Sequence, residues 1–307
     1  MAVNLSEQLK GVLPPVITPL TPERRLDPDS AESVYRFMLK QGAHGIFLFG
    51  TSGEGPLLRN DDRQQATGIA VKVVNGSVPL LVGVIAPGTE QIIEQAKVAK
   101  DQGADAIVVC PPFYYPASQK DMLVHYRTIR ETVDIPIFAY DIPVMTKVKI
   151  EMDTLMTLGK EGTIIGVKDS SGDAVSFHRL VASKPPGMKL FTGAEMLVHA
   201  VVLAGADGTV PGLANVGPEL FVKLYEAAAV NNHAEAVRQQ EAIVRLFEVF
   251  VCPDGTMNVG YIIGAMKTAL RLRGVIEHDT LFHPFPACTP ELIARTQRIM
   301  EEVGCLQ

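Results

Sequence analysis

Eight short apolar runs alternate with helical patterns along most of this chain, and that alternation restricts the fold more than any other feature. The runs cover residues 12–18, 45–49, 80–85, 106–110, 135–140, 164–168, 189–192 and 208–211. Between them, helical patterns cover 30–41, 61–74, 90–101, 120–133, 152–158, 174–183 and 196–204. Strict alternation of strand and helix predicts parallel βαβ units. The runs lack polar alternation, as expected of strands buried on both faces. A doubly wound open sheet and a closed barrel both satisfy this pattern. The count of eight, with roughly 25–30 residues per unit, favours an α/β fold of the (β/α)8 TIM-barrel type. Three similar joints support it: Gly42-Ala43-His44-Gly45, Gly103-Ala104-Asp105-Ala106 and Gly205-Ala206-Asp207-Gly208. A glycine just after a helix supplies the left-handed cap that ends it before the next strand.

Beyond the eighth run the chain reads as helices over 218–230, 233–251, 258–273 and 290–303. One of them closes the barrel and the rest form a C-terminal extension. The expected division is a barrel over 1–230 and a helical extension over 231–307 packed on it.

Of the 307 residues, 47% are hydrophobic, enough for a large buried core, and the formal charge is 28 − 34 = −6. A mildly acidic chain without a long basic run is not expected to bind nucleic acid or an anionic membrane surface. No apolar run approaches the roughly 20 residues of a spanning helix. The N-terminal stretch lacks the charged and apolar regions of a secretory signal, and the four cysteines have neither zinc-site nor disulfide-framework spacing. A reduced, cytoplasmic setting is expected. Phosphate-loop and dinucleotide motifs are absent, and the seven histidines show no metal-ligand spacing.

Reactive groups of a barrel sit at the C-terminal ends of its strands. Lys168 ends the run Ile164-Ile165-Gly166-Val167, and period-two alternation puts Ile164, Gly166 and Lys168 on one face. If Ile164 points into the barrel, so does Lys168. An inward lysine is costly as an ammonium ion, and the same environment favours the neutral amine that attacks carbonyls. The competing reading is a strand-end lysine reaching solvent and pairing with Asp169. Tyr140 ends the preceding run, on a strand expected about 4.8 Å away. Its phenol is placed to relay protons to the amine or to a carbonyl attached to it. Gly50-Thr51-Ser52-Gly53-Glu54 offers two hydroxyls and successive backbone N–H groups, a geometry suited to a carboxylate or a phosphate.

Taken together, these blocks resemble the dihydrodipicolinate synthase/N-acetylneuraminate lyase family of class I aldolases. The likeness runs from about residue 11 to 217, with a looser helical region after it. Gly50-Thr51-Ser52-Gly53-Glu54 is similar to the family's carboxylate loop, Tyr140-Asp141-Ile142-Pro143 to its Y-N-x-P block, and Gly166-Val167-Lys168-Asp169-Ser170-Ser171-Gly172-Asp173 to its Schiff-base block. The resemblance implies that Lys168 forms an imine with a 2-keto acid such as pyruvate and that Tyr140 shuttles protons. It implies that Thr51, Ser52 and Gly53 hold the keto-acid carboxylate, and that the Val210 carbonyl contacts the substrate. Tyr114 matches a tyrosine that relays protons to Tyr140, in many members across a subunit interface. Glu195 falls where several members keep a carboxylate facing the substrate's distal end. No metal or organic cofactor is implied. A homo-oligomer is, by the family's habit a tetramer built as a dimer of dimers.

One departure bears on the substrate. Dihydrodipicolinate synthases carry an arginine five residues after the block tyrosine, and here that position is Met145. A thioether cannot replace a bidentate guanidinium on a carboxylate. The expected activity is therefore reversible aldol cleavage of a 2-keto-3-deoxy sugar acid, or a related 2-keto acid, to pyruvate and an aldehyde. Condensation of pyruvate with aspartate semialdehyde, dehydration of a deoxy-keto-sugar acid, and a non-catalytic keto-acid-binding role are the alternatives.

Overall fold

The computed structural model describes residues 4–306. Its eight strands are β1 (Gly11–Val12), β2 (Ile46–Leu48), β3 (Leu80–Val84), β4 (Ala106–Val109), β5 (Ile137–Asp141), β6 (Gly166–Asp169), β7 (Lys189–Thr192) and β8 (Gly208–Thr209). All neighbours are parallel, in the order β1-β8-β7-β6-β5-β4-β3-β2. The ring closes between β1 and β2. Phe47 N donates to Pro14 O at 3.1 Å, Val16 N donates to Phe47 O at 3.0 Å, and Pro15 bridges Phe47 in parallel. The first strand is shorter than the apolar run 12–18 suggests because Pro14 and Pro15 have no N–H to donate. Their segment still accepts, so the barrel stays closed.

The outer helices follow the expected order, and several ends can be traced to single residues. Asp27 and Ser118 accept hydrogen bonds from N3 backbone amides at the starts of Pro28–Lys40 and Gln119–Thr132. Gly42, Gly103 and Gly205 all have positive φ, as their place after helices requires. Two expected helices are subdivided. The segment 196–204 opens with a 3-10 turn, Glu195–Leu197, before Val198–Leu203, and 233–251 is an α-helix only over His233–Leu246 before tightening into Phe247–Phe250.

The core has two layers. Outward-facing strand residues such as Val82, Val109, Val167 and Leu190 pack with the helices. A smaller cluster fills the barrel, including Phe47, Leu81, Val108, Phe138, Tyr140 and Phe191. Ile164 belongs to the outer layer. The expectation that it shares the inner face with Lys168 is therefore corrected: the alternation that matters begins at Gly166. A Cβ on Gly166 would lie 2.5 Å from the Phe138 ring, so this position has room for no side chain on the inner face. Two residues later, Lys168 has its inward space.

Helices Val259–Leu272 and Pro290–Glu302 pack against each other and, through Val259 and Ile263, the first of them reaches the mouth of the barrel. No helix among the described residues is long and apolar enough to cross a membrane.

Candidate active site

Lys168 and Tyr140 are Cα partners across β5 and β6. Both are buried, at 5% and 2% relative exposure. The lysine nitrogen lies 4.0 Å from the Tyr140 ring centroid and 4.8 Å from that of Phe47. Among the described residues it has neither a hydrogen bond nor an ion pair. The surface-lysine reading, with Asp169 as partner, does not describe this side chain. Asp169 points to the opposite face and accepts from the Ser171 amide and hydroxyl.

The Tyr140 hydroxyl faces Thr51 Oγ1 at 3.5 Å. That separation is long for an O–H···O bond. Thr51 is half-buried and Ser52 buried, on a loop packed backbone against backbone. Thr18 Oγ1 donates to Gly53 O at 2.7 Å, and a Cβ on Gly55 would sit 2.0 Å from Phe49 O. Only glycine fits there, because the atom it would strike is main chain. The two hydroxyls are thus set on a loop with little freedom to shift.

A second fixture holds this loop from below. Glu54 Oε2 meets Lys267 Nζ at 2.5 Å, both side chains fully buried, and Glu54 Oε1 accepts from the Phe282 amide at 3.0 Å. Lys267 also donates to Thr280 O at 2.7 Å. Burial pushes the Lys267 ammonium down from the usual lysine range, and the Glu54 charge pulls it back. Two buried lysines among the described residues thus have opposite surroundings: Lys267, from the C-terminal helices, is paired with Glu54 and Thr280, and Lys168, on β6, has no polar partner. The sequence analysis missed Lys267, although its signal is legible: a lone charge inside the apolar helix segment Ile262–Ala269.

Glu195 is half-buried and accepts from the Leu213 amide at 3.4 Å. Burial raises its carboxyl above the usual range, while nearby backbone N–H groups and the Lys168 charge oppose that rise. A Cβ on Gly212 would lie 3.3 Å from Ser52 Oγ and 3.4 Å from Glu195 Oε1. Glu195 thus stands beside the Thr51–Ser52 loop, with the buried Val210 two residues before Gly212. Asp141 anchors the segment carrying Met145 by accepting from Lys149 Nζ at 2.7 Å and the Ile150 amide at 3.1 Å. Burial nevertheless raises its carboxyl. Met145, on the short helix Pro143–Thr146, is 39% exposed.

Tyr114 is not drawn to this group within one chain. It is 83% exposed, has φ of 77°, and packs edge-on against the equally exposed Tyr115.

A barrel with a sequestered amine, a phenol in register with it and paired hydroxyls at the strand ends is the framework of a class I, Schiff-base-forming lyase. Residues 8–303 match the model of the dihydrodipicolinate synthetase family, and the chain belongs to that family. It is 36% identical over 266 residues to a DapA-like lyase of Halobacterium salinarum, covering 87% of this chain and 85% of that one. It is 32% identical to a 4-hydroxy-tetrahydrodipicolinate synthase of Phenylobacterium zucineum, covering 79% and 82% respectively. Among solved structures, the dihydrodipicolinate synthase of Acinetobacter baumannii complexed with pyruvate superposes with a TM-score of 0.89 at 26% identity, covering 97% of this chain and 99% of that one.

Proposed function

We propose that this lyase cleaves a 4-hydroxy-2-keto acid reversibly to pyruvate and an aldehyde through an imine on Lys168. The observation that carries the reading is the environment of the Lys168 nitrogen: buried, held between two aromatic faces, and without a polar partner. The neutral amine attacks C2 of the keto acid. The carbinolamine loses water, with Tyr140 moving the protons. The resulting iminium ion is the electron sink, so the C3–C4 bond breaks as the C4 hydroxyl gives up its proton and the aldehyde departs. The enamine left behind takes a proton at C3, and water releases pyruvate and the free amine. Thr51 and Ser52, with the Gly53 backbone, hold the keto-acid carboxylate and so orient C3. The pyruvate complex of the Acinetobacter baumannii relative supports a keto-acid site of this kind.

Condensation with aspartate semialdehyde is the weaker reading because Met145 has no charge to offer a second carboxylate. We assign residues 1–230 to the catalytic barrel and 231–307 to a helical cover. The adjacent exposed rings of Tyr114 and Tyr115 support a homo-oligomer in which this corner meets another copy. The cytoplasm is the compartment we assign.

Borohydride reduction in the presence of pyruvate tests the reaction. A mass increase on a peptide containing Lys168, absent from Lys168→Ala, is the expected result. Labelling elsewhere, or none, refutes the assignment.

A further inference from the structure

We infer that the aldehyde this site takes is apolar, either aromatic or branched aliphatic. The inference rests on the imine reading above and concerns only the substrate beyond the bond that breaks.

A cavity of about 270 Å³ opens beside Thr51, whose hydroxyl faces Tyr140. Leu57, Ile85, Phe113, Met145, Ile263 and Phe285 are among the apolar side chains of its wall. They come from the ends of β2, β3, β4 and β5 and from the C-terminal helical region, so both parts of the chain shape it. A dry cavity of about 150 Å³ accepts a benzene ring. The volume here suits one ring with a short substituent, or a branched aliphatic chain.

The polar side chains in the wall decide what it recognises. Besides Thr51 they are Glu54 and Thr146, with the weakly polar thiol of Cys110. Both carboxylate oxygens of Glu54 are engaged, by Lys267 and by the Phe282 amide. The Thr146 hydroxyl is directed at the carbonyls of Ile142 and Val148, at 3.1 and 2.9 Å. Thr51 alone keeps a hydroxyl without a short hydrogen bond, and it sits at the end of the cavity that borders Tyr140. Glu195 and Ser52 stand together beside Gly212 and do not line this cavity. The hydroxyls of a sugar acid that lie against this wall would therefore find few side-chain partners there. Each buried hydroxyl left unpaired weakens binding by about tenfold. An apolar group loses nothing of that kind and gains the burial of its surface.

The test uses the full-length protein and pyruvate. Trapping with borohydride comes first and settles whether the imine forms. Condensation rates are then measured with benzaldehyde, isobutyraldehyde, glyceraldehyde and aspartate semialdehyde. The expected result is a kcat/KM at least about tenfold higher for the two apolar aldehydes. Met145→Arg, with its fold checked by circular dichroism, should reduce that preference at least about tenfold. An enzyme that traps pyruvate but prefers glyceraldehyde or aspartate semialdehyde, or turns over neither apolar aldehyde, overturns the inference and leaves the imine reading standing. Failure to trap pyruvate on Lys168 removes the reading beneath it.

Discussion

Tyr140 faces Lys168 with its ring and Thr51 with its hydroxyl. The nitrogen is 4.0 Å from the ring centroid while the two oxygens are 3.5 Å apart. One residue thus does two separable things. The ring lies against the buried amine, and the phenol faces the Thr51 hydroxyl.

Tyr140→Phe separates these roles. The ring stays, so the packing around Lys168 stays. The proton carrier is lost, and such a group typically contributes between about 10² and 10⁴ in rate. Single-turnover trapping of pyruvate should slow by that order while still ending on Lys168. A variant that traps at the wild-type rate would show that another group carries the proton.

The pair Glu54–Lys267 leads to a prediction about stability. Removing one member of a buried ion pair strands the other charge, at a typical loss of about 3–5 kcal/mol. Lys267→Met is expected to fall in that range in urea denaturation. The double variant Glu54→Gln, Lys267→Met should recover much of it, because neither stranded charge remains. Equal losses in the single and double variants would argue that the lysine stem, not the charge, matters. In the parent protein, borohydride with pyruvate should leave Lys267 unlabelled.

Legibility in the sequence differs between these features for physical reasons. The eight strands and most helices were readable because each is a local pattern: an apolar run, a cap, a glycine at a left-handed joint. Lys168 and Tyr140 were readable for the same reason, each ending a strand. The apolar cavity was not, because Leu57, Phe113, Met145, Ile263 and Phe285 come from segments distant in the chain. None is unusual alone. Only closure of the barrel and folding back of the C-terminal helices puts them on one wall. Ile164 misled for a different reason. The inner-face alternation starts at Gly166, and a period-two pattern extended past its start assigns the wrong face. The expected sugar acid came from the resemblance and from Met145, which was read without the other residues that share its wall.

His125 gives a pH dependence that can be checked apart from catalysis. It is 2% exposed in the helix Gln119–Thr132, with Nδ1 2.8 Å from Thr89 Oγ1 and Nε2 3.3 Å from the Cys110 carbonyl oxygen. Burial lowers its pKa from 6.5 to about 4. The folded chain keeps the ring neutral where the unfolded chain protonates it, so unfolding takes up a proton below pH 6.5. The stability that neutral His125 contributes is whole above 6.5, declines between 6.5 and 4, and is gone once pH passes below the folded value. At about 1.4 kcal/mol per pH unit, that interval amounts to about 3 kcal/mol. His125→Gln has no titrating ring, so its unfolding free energy should fall less steeply from pH 7 to pH 4 than that of the parent. The difference between the two slopes isolates the histidine from the carboxylates, which titrate in both proteins. Parallel slopes in urea denaturation at pH 7, 5.5 and 4.5 would mean that the ring is already protonated in the folded chain, or that the pocket admits water.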